Sequence, residues 1–170
     1  MRLYYCFVIL LLLAGLFFLS GCIKEEEFPP EPYIEFIGLA KIQNANNIDD
    51  KGILKISFTD GDGDMGLADN DTMQPFDKSS IYYYNFFIKY FEKQHGQFVE
   101  VPPAVTFNSR IPELKSNNIN GAIKGEIEIE LFINNPFSPY DTVRFEAYIV
   151  DRALHHSNTI TTNELIVKKH

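Results

Sequence analysis

Several absences narrow this chain of 170 residues before any motif is read. It carries two cysteines, Cys6 and Cys22, and no tryptophan. Cys6 lies in an apolar N-terminal run. Once that run is removed, no second thiol remains for Cys22, so disulfides do not staple the fold. No segment sustains the three-and-four-residue apolar spacing of an amphipathic helix, which argues against a helical architecture. No serine sits in a Gly-x-Ser-x-Gly elbow and no glycine-rich loop leads into a helix, so those two routes to hydrolysis and phosphate binding lack their motifs. Basic residues are also few, with 15 Lys and Arg against 23 Asp and Glu. A net charge of −8, or −9 without Arg2, gives a surface that repels nucleic acid and anionic lipid and attracts cations.

What is present begins with Arg2, the apolar run from Phe7 to Leu19, and the small residues Ser20 and Gly21 before Cys22. This is the form of a secretory signal, and the apolar run is shorter than the ~18 to 20 residues that span a bilayer. Leu19-Ser20-Gly21-Cys22 resembles the lipobox of bacterial lipoproteins, which implies cleavage before Cys22 and lipidation of its sulfur. The alternative is an uncleaved anchor helix. Either way the folded part lies outside the cytoplasm. Lys24 followed by Glu25, Glu26 and Glu27 resembles the export signal that sends lipoproteins of Bacteroidetes-type bacteria to the outer face of the outer membrane. Pro29, Pro30 and Pro32 among these charges also describe a solvated, extended tether. The expected organisation is a signal peptide over residues 1–21, a lipidated tether over 22–32, and one domain over 33–170.

The domain reads as strands. Candidates are Tyr33 to Ile37, Ile53 to Phe58, Ile81 to Glu92, Phe98 to Val101, Ala122 to Ile133, Thr142 to Val150 and Thr159 to Val167. The clearest alternation is that of Ile123, Ile127, Ile129, Leu131 and Ile133 with Lys124, Glu126, Glu128 and Glu130. Lys93 to Gln97 contains a glycine and reads as a hairpin turn. Seven strands with one-sided alternation predict an antiparallel, immunoglobulin-like β-sandwich, although the Cys-Trp-Cys mark of antibody domains is missing. Leu39 to Asn47 and Val105 to Asn120 receive no assignment.

The second candidate strand runs into Phe58-Thr-Asp-Gly-Asp-Gly-Asp-Met-Gly-Leu-Ala-Asp-Asn-Asp71. Asp60, Asp62 and Asp64 alternate with glycine, so their carboxylates can turn to one point, where a hard, oxygen-preferring cation offsets their repulsion. Against the calcium loop of EF-hand proteins, these three take the first, third and fifth positions, the Gly66 carbonyl the seventh, and Asp71 the twelfth. Met65 breaks that pattern, which wants glycine there. The alternative is a solvated turn, because Asp and Gly are ordinary turn formers. In an immunoglobulin-like sandwich the loop after the sixth strand lies at the same end. There Asp151 is a candidate further ligand and Arg152 a candidate counter-charge.

Other clusters support two readings each. Tyr82, Tyr84, Phe86 and Tyr90 form a ligand-stacking platform if their strand face is open, and plain core if it is covered. Glu126, Glu128 and Glu130 share a face but nothing sets two of them apart as acid and base, so they read as a solvated surface. His155 and His156 are adjacent on extended backbone and point apart, a poor shared metal site.

The order of lipobox, acidic tether, strand ending in Phe-Thr-Asp-Gly-Asp-Gly-Asp-Met-Gly, and closing Val150-Asp-Arg-Ala153 followed by Ser157-Asn-Thr-Ile160 resembles small Bacteroidetes-type surface lipoproteins with an immunoglobulin-like domain. With the catalytic motifs missing, the expectation is a non-catalytic binding or accessory module. It would be lipid-anchored in the outer membrane and face the exterior, with structural calcium and an unknown protein or glycan partner. A carbohydrate-active enzyme, an accessory subunit of a glycan-uptake system, and a structural subunit of an envelope complex are the alternatives.

Overall fold

Period-two alternation requires each strand to bury one face, and two sheets meeting face to face satisfy that requirement for all of them at once. The computed structural model describes residues 26–115 and 121–169. The signal peptide and Cys22 lie outside the described residues. Strands β1 (Tyr33–Gln43), β2 (Asp49–Asp60) and β5 (Ile123–Phe132) form one antiparallel sheet in the order β1-β2-β5. Strands β3 (Phe86–Gln94), β4 (Gln97–Glu100) and β6 (Thr142–Ile149) form the other, and two short strands, β7 (Ile160–Thr161) and β8 (Leu165–Ile166), both pair with β6. The expected all-β sandwich is therefore the observed fold.

The core lies between the sheets. Ile34, Leu54, Ile56 and Phe58 come from the first sheet and meet Phe86, Ile88, Tyr90, Val143, Phe145, Ala147 and Ile149 from the second. Phe107 closes the layer through edge contacts with the Tyr90 and Phe145 rings. The predicted hairpin turn is His95-Gly96, both at positive φ, the geometry of a two-residue turn that matches strand twist.

The strand expected from Ile53 to Phe58 extends over Asp49–Asp60, and three further differences from expectation each have a local reason. The unassigned Leu39–Gln43 continues β1, because a bulge between Phe36 and Gly38 shifts the register and breaks the visible alternation. The expected strand from Ile81 begins only at Phe86. Residues Ile81–Tyr83 form a 3₁₀ turn instead, capped by Ser80, whose hydroxyl accepts the Tyr82 N–H at 3.0 Å. The last strand splits into β7 and β8 because the buried Thr162 hydroxyl accepts the Phe145 N–H at 3.0 Å, in the place of a ladder carbonyl.

Two buried carboxylates fasten the end of the sandwich remote from the acidic loop. Glu92 accepts Ser138 Oγ at 2.6 Å and Asn135 Nδ2 at 2.9 Å, holding the β5–β6 connection onto β3. Asp49 accepts Lys41 Nζ at 2.5 Å, the Lys168 N–H at 2.8 Å and Gln43 Nε2 at 3.0 Å. Burial pushes Asp49 up, but these donors together outweigh it and hold its pKa down to about 2. A depressed acid pKa stabilises the fold fully above the ordinary value of 3.8, and the contribution is lost as pH falls toward 2. Asp49→Ala is expected to cost about 2 to 3 kcal/mol in urea unfolding at pH 7, since the donors lose a charged acceptor. The gap between variant and parent should narrow at pH 2.5.

Candidate metal site

The inward positions of β2 run Leu54, Ile56, Phe58 and then Asp60, which is fully buried. A buried carboxylate requires partners. Its Oδ1 accepts the Gly63 N–H at 3.0 Å and its Oδ2 the Met65 N–H at 2.9 Å, so the chain folds back over the end of its own strand. Gly63 sits at φ +71°, and a Cβ there would stand 2.0 Å from the Gly121 carbonyl oxygen, so only glycine fits between Asp62 and Asp64. Met65, which breaks the EF-hand pattern, is fully buried in the core, and Leu67 is buried close behind. The loop is thus pinned by apolar anchors, and no helix flanks it.

Asp60, Asp62 and Asp64 each bring one carboxylate oxygen within 4.8 Å of the others. Oxygens bound to one calcium at 2.3 to 2.6 Å lie at most about 5 Å apart, so the triad fits that ion. Burial, and next a hydrogen bond with Asp62, push Asp60 up to about 7. Burial, then the charges of Asp151 and Asp62, raise Asp64 against the lowering effect of the Ala153 N–H. That N–H donates to Asp64 Oδ2 at 3.0 Å. Asp64 Oδ1 is buried with no hydrogen-bond partner, an orphan acceptor beside two further carboxylates.

The acidic loop and the loop after β6 do lie at one end of the sandwich. That a backbone N–H from Ala153 grips Asp64 is not legible in residue types, because a main-chain donor leaves no mark in them. Three expected ligands, Asp71, Asp151 and the Gly66 carbonyl, stand outside the triad. Asp71 accepts Arg152 Nη1 at 2.6 Å and Nη2 at 3.2 Å, together with the Ala68 N–H at 2.7 Å. The Met65 and Leu67 anchors carry it away from the focus, and Arg152 neutralises it there. Arg152 is therefore a counter-charge to the loop through Asp71. Asp151 is buried and accepts the His155 N–H at 2.7 Å, with His155 Nδ1 at 2.9 Å, so it organises its own turn. Gly66 lies past the Met65 plug, packed against the Pro112 carbonyl.

The proposed stacking platform is also corrected. Phe86 and Tyr90 belong to the buried core, while Tyr82 and Tyr84 precede the strand. Arg110 sets that geometry: it donates to the Tyr83 carbonyl at 2.7 Å and to the Ala68 and Asp71 carbonyls at 3.2 Å, with its guanidinium over the Tyr83 ring. The outer face of the second sheet instead bears a stack of Phe87, Tyr148 and His156, with centroids 4.9 and 5.5 Å apart. His155 and His156 thus have separate partners. Glu126 and Glu128 pair with Lys55, and Glu130 with Lys51, on a solvent-facing surface.

Comparison of the chain with family models, curated proteins and solved structures returns no match.

The raised pKa of Asp60 sets a pH dependence. Between about pH 4 and pH 7 the folded chain holds a proton that the unfolded chain has lost, so stability falls as pH rises through that window. In a chelator, the melting temperature should drop from pH 5 to pH 7.5. Asp62→Asn, which removes the second-largest cause of the shift while altering an exposed side chain, should flatten the slope.

Proposed function

We propose that this protein is a surface-anchored, non-catalytic accessory lipoprotein whose sandwich is braced by a divalent cation at Asp60, Asp62 and Asp64. The observation that carries the cation is the orphaned, buried Asp64 Oδ1 within a triad of mutually close carboxylates. Calcium fits best, because the donors are all oxygen and the loop geometry is irregular. No cysteine lies among the described residues, and the histidines of the neighbouring turn have other partners. Bound there, the ion replaces the proton that Asp60 otherwise keeps. It joins the end of β2 to the loop after β6, which already grips Asp64 through Ala153.

The lipid anchor rests on Leu19-Ser20-Gly21-Cys22, and the path of the tether gives it a geometric consequence. The Gly61 N–H donates to the Pro29 carbonyl at 2.8 Å, and Lys124 pairs with Glu26, so the tether leaves the domain beside the acidic loop. Residue 22 precedes Pro29 by few residues, at roughly 3.4 Å each when extended. The braced end then faces the membrane, and the opposite end, with the His95-Gly96 turn, faces outward.

Calorimetric titration of the full chain in detergent with calcium tests the site, with the Asp60→Asn, Asp62→Asn, Asp64→Asn triple variant as control. The parent should release binding heat and gain several degrees of melting temperature, since calcium at a hundredfold its Kd contributes about 2.7 kcal/mol. The triple variant should show neither response. Equal heats and equal melting shifts in the two proteins reject the site.

A further inference from the structure

The two lateral sides of the sandwich are not alike. On one side Asn158 clasps Ile34, donating from Nδ2 to its carbonyl and accepting its N–H, both at 2.9 Å, so the β6–β7 connection seals β1. On the other side β5 ends its sheet. The Ile133 N–H donates to the Asp50 carbonyl, and the register from there to Asp60 is unbroken, so residues 123, 125, 127, 129 and 131 exchange hydrogen bonds with β2. The N–H and C=O groups of Lys124, Glu126, Glu128, Glu130 and Phe132 point away from β2, and among the described residues none has a backbone partner.

Three observations show that, among the described residues, this edge lacks a neighbouring strand. Ile127 and Ile129 stand beside Ile56 and Leu54 in register, yet the β2 residues are fully buried and the β5 residues are only half-buried. Constant-type immunoglobulin sandwiches place a fourth strand at this position. Here the chain between β4 and β5 instead pairs with β3 at Ser109 and then crosses to the acidic loop at Pro112. A cavity of about 390 Å³, lined by Tyr90, Val101, Phe107, Phe132, Asn135 and Phe137, also opens on this side.

We propose that the free edge of β5 accepts an extended segment of a partner polypeptide as a fourth strand, with apolar residues facing inward and lysine or arginine facing outward. The inward residues cover Ile127 and Ile129 and enter the cavity. The outward residues lie beside Glu126, Glu128 and Glu130, which among the described residues pair with Lys51 and Lys55 alone, so one negative charge is left over there. Directly opposed opposite charges on neighbouring strands are favourable, and like charges are not. A second copy of this chain is disfavoured as the occupant. Antiparallel β5–β5 pairing through the outward groups sets glutamate against glutamate in every long register. Main-chain pairing supplies affinity in this mode, and alternate side chains supply selectivity.

The test uses two blocked ten-residue peptides, one alternating lysine with valine and the other glutamate with valine, titrated by fluorescence anisotropy against the full chain in detergent. The lysine peptide should bind saturably and at least tenfold more tightly than the glutamate peptide. Glu128→Pro removes an outward N–H but no bond to β2, and should weaken binding tenfold or more. The Glu126→Lys, Glu128→Lys, Glu130→Lys variant should reverse the preference. Methylating alternate backbone nitrogens of the lysine peptide, which leaves the protein untouched, should abolish binding. Absence of saturable binding, or an affinity unchanged by both Glu128→Pro and N-methylation, overturns the proposal. A parent that sediments as a dimer and becomes monomeric with Glu128→Pro also overturns it, in favour of self-pairing. None of these readouts depends on the cation.

Discussion

The burial of Asp60 is the constraint on which this end of the molecule depends. A carboxylate at an inward position of the central strand of its sheet cannot be left without donors, and the main-chain donors it takes are the N–H groups of Gly63 and Met65, which follow it. Satisfying them forces the chain to turn back at once. That turn brings Asp62 and Asp64 close to Asp60 and drops Met65 into the core. Electrostatic crowding is therefore not an accident of composition. It follows from using an acid where the alternation of β2 calls for an apolar residue, and the apolar plug that follows supplies the burial needed to hold the crowded geometry in place.

Two charge-handling devices operate within a few residues of each other. Asp60, Asp62 and Asp64 share a focus, whereas Asp71 faces a two-pronged guanidinium and the Ala68 N–H. Arg152 and Ala153 are adjacent in the loop after β6, one answering Asp71 with a side chain and the other answering Asp64 with a main-chain N–H. A single turn of chain therefore fixes both halves of the acidic loop, and Asp151 shapes that turn by holding His155. This is why Asp151, though close enough to raise Asp64, acts as a brace for the turn.

The features legible in the sequence were those written in periodicity and local turn chemistry. The alternation from Ile123 to Ile133, the glycine of the His95-Gly96 turn and the three glycine-spaced aspartates each state their geometry within a few residues. The features that were not legible depend on partners far along the chain. Tyr82 to Asn85 has the composition of a strand, and it is Ser80, Arg110 and the buried pairing of Asn85 with Ile111 that deny it one. Asp71 fits the final position of a calcium loop by spacing, but Arg152, 81 residues later, takes it out of that role. Composition showed that aromatic residues were abundant, while only the packing shows that Phe86 and Tyr90 fill the core and that Phe87 stacks on Tyr148 outside it.

The glutamates of β5 connect the surface to the rest of the fold. An edge strand with alternating apolar and acidic residues is protected from its own copies by like-charge opposition, which is a common defence against aggregation. That defence discriminates by sign: it excludes an acidic strand and leaves a basic one admissible. Because the β1 side is sealed by Asn158 and the acidic end is occupied with its own charge balance, the β5 side is where half-buried isoleucines, main-chain groups without a partner among the described residues, and a cavity coincide. The tether meets the acidic end at Gly61, through the Pro29 carbonyl, and the first outward residue of that edge at Lys124, through Glu26.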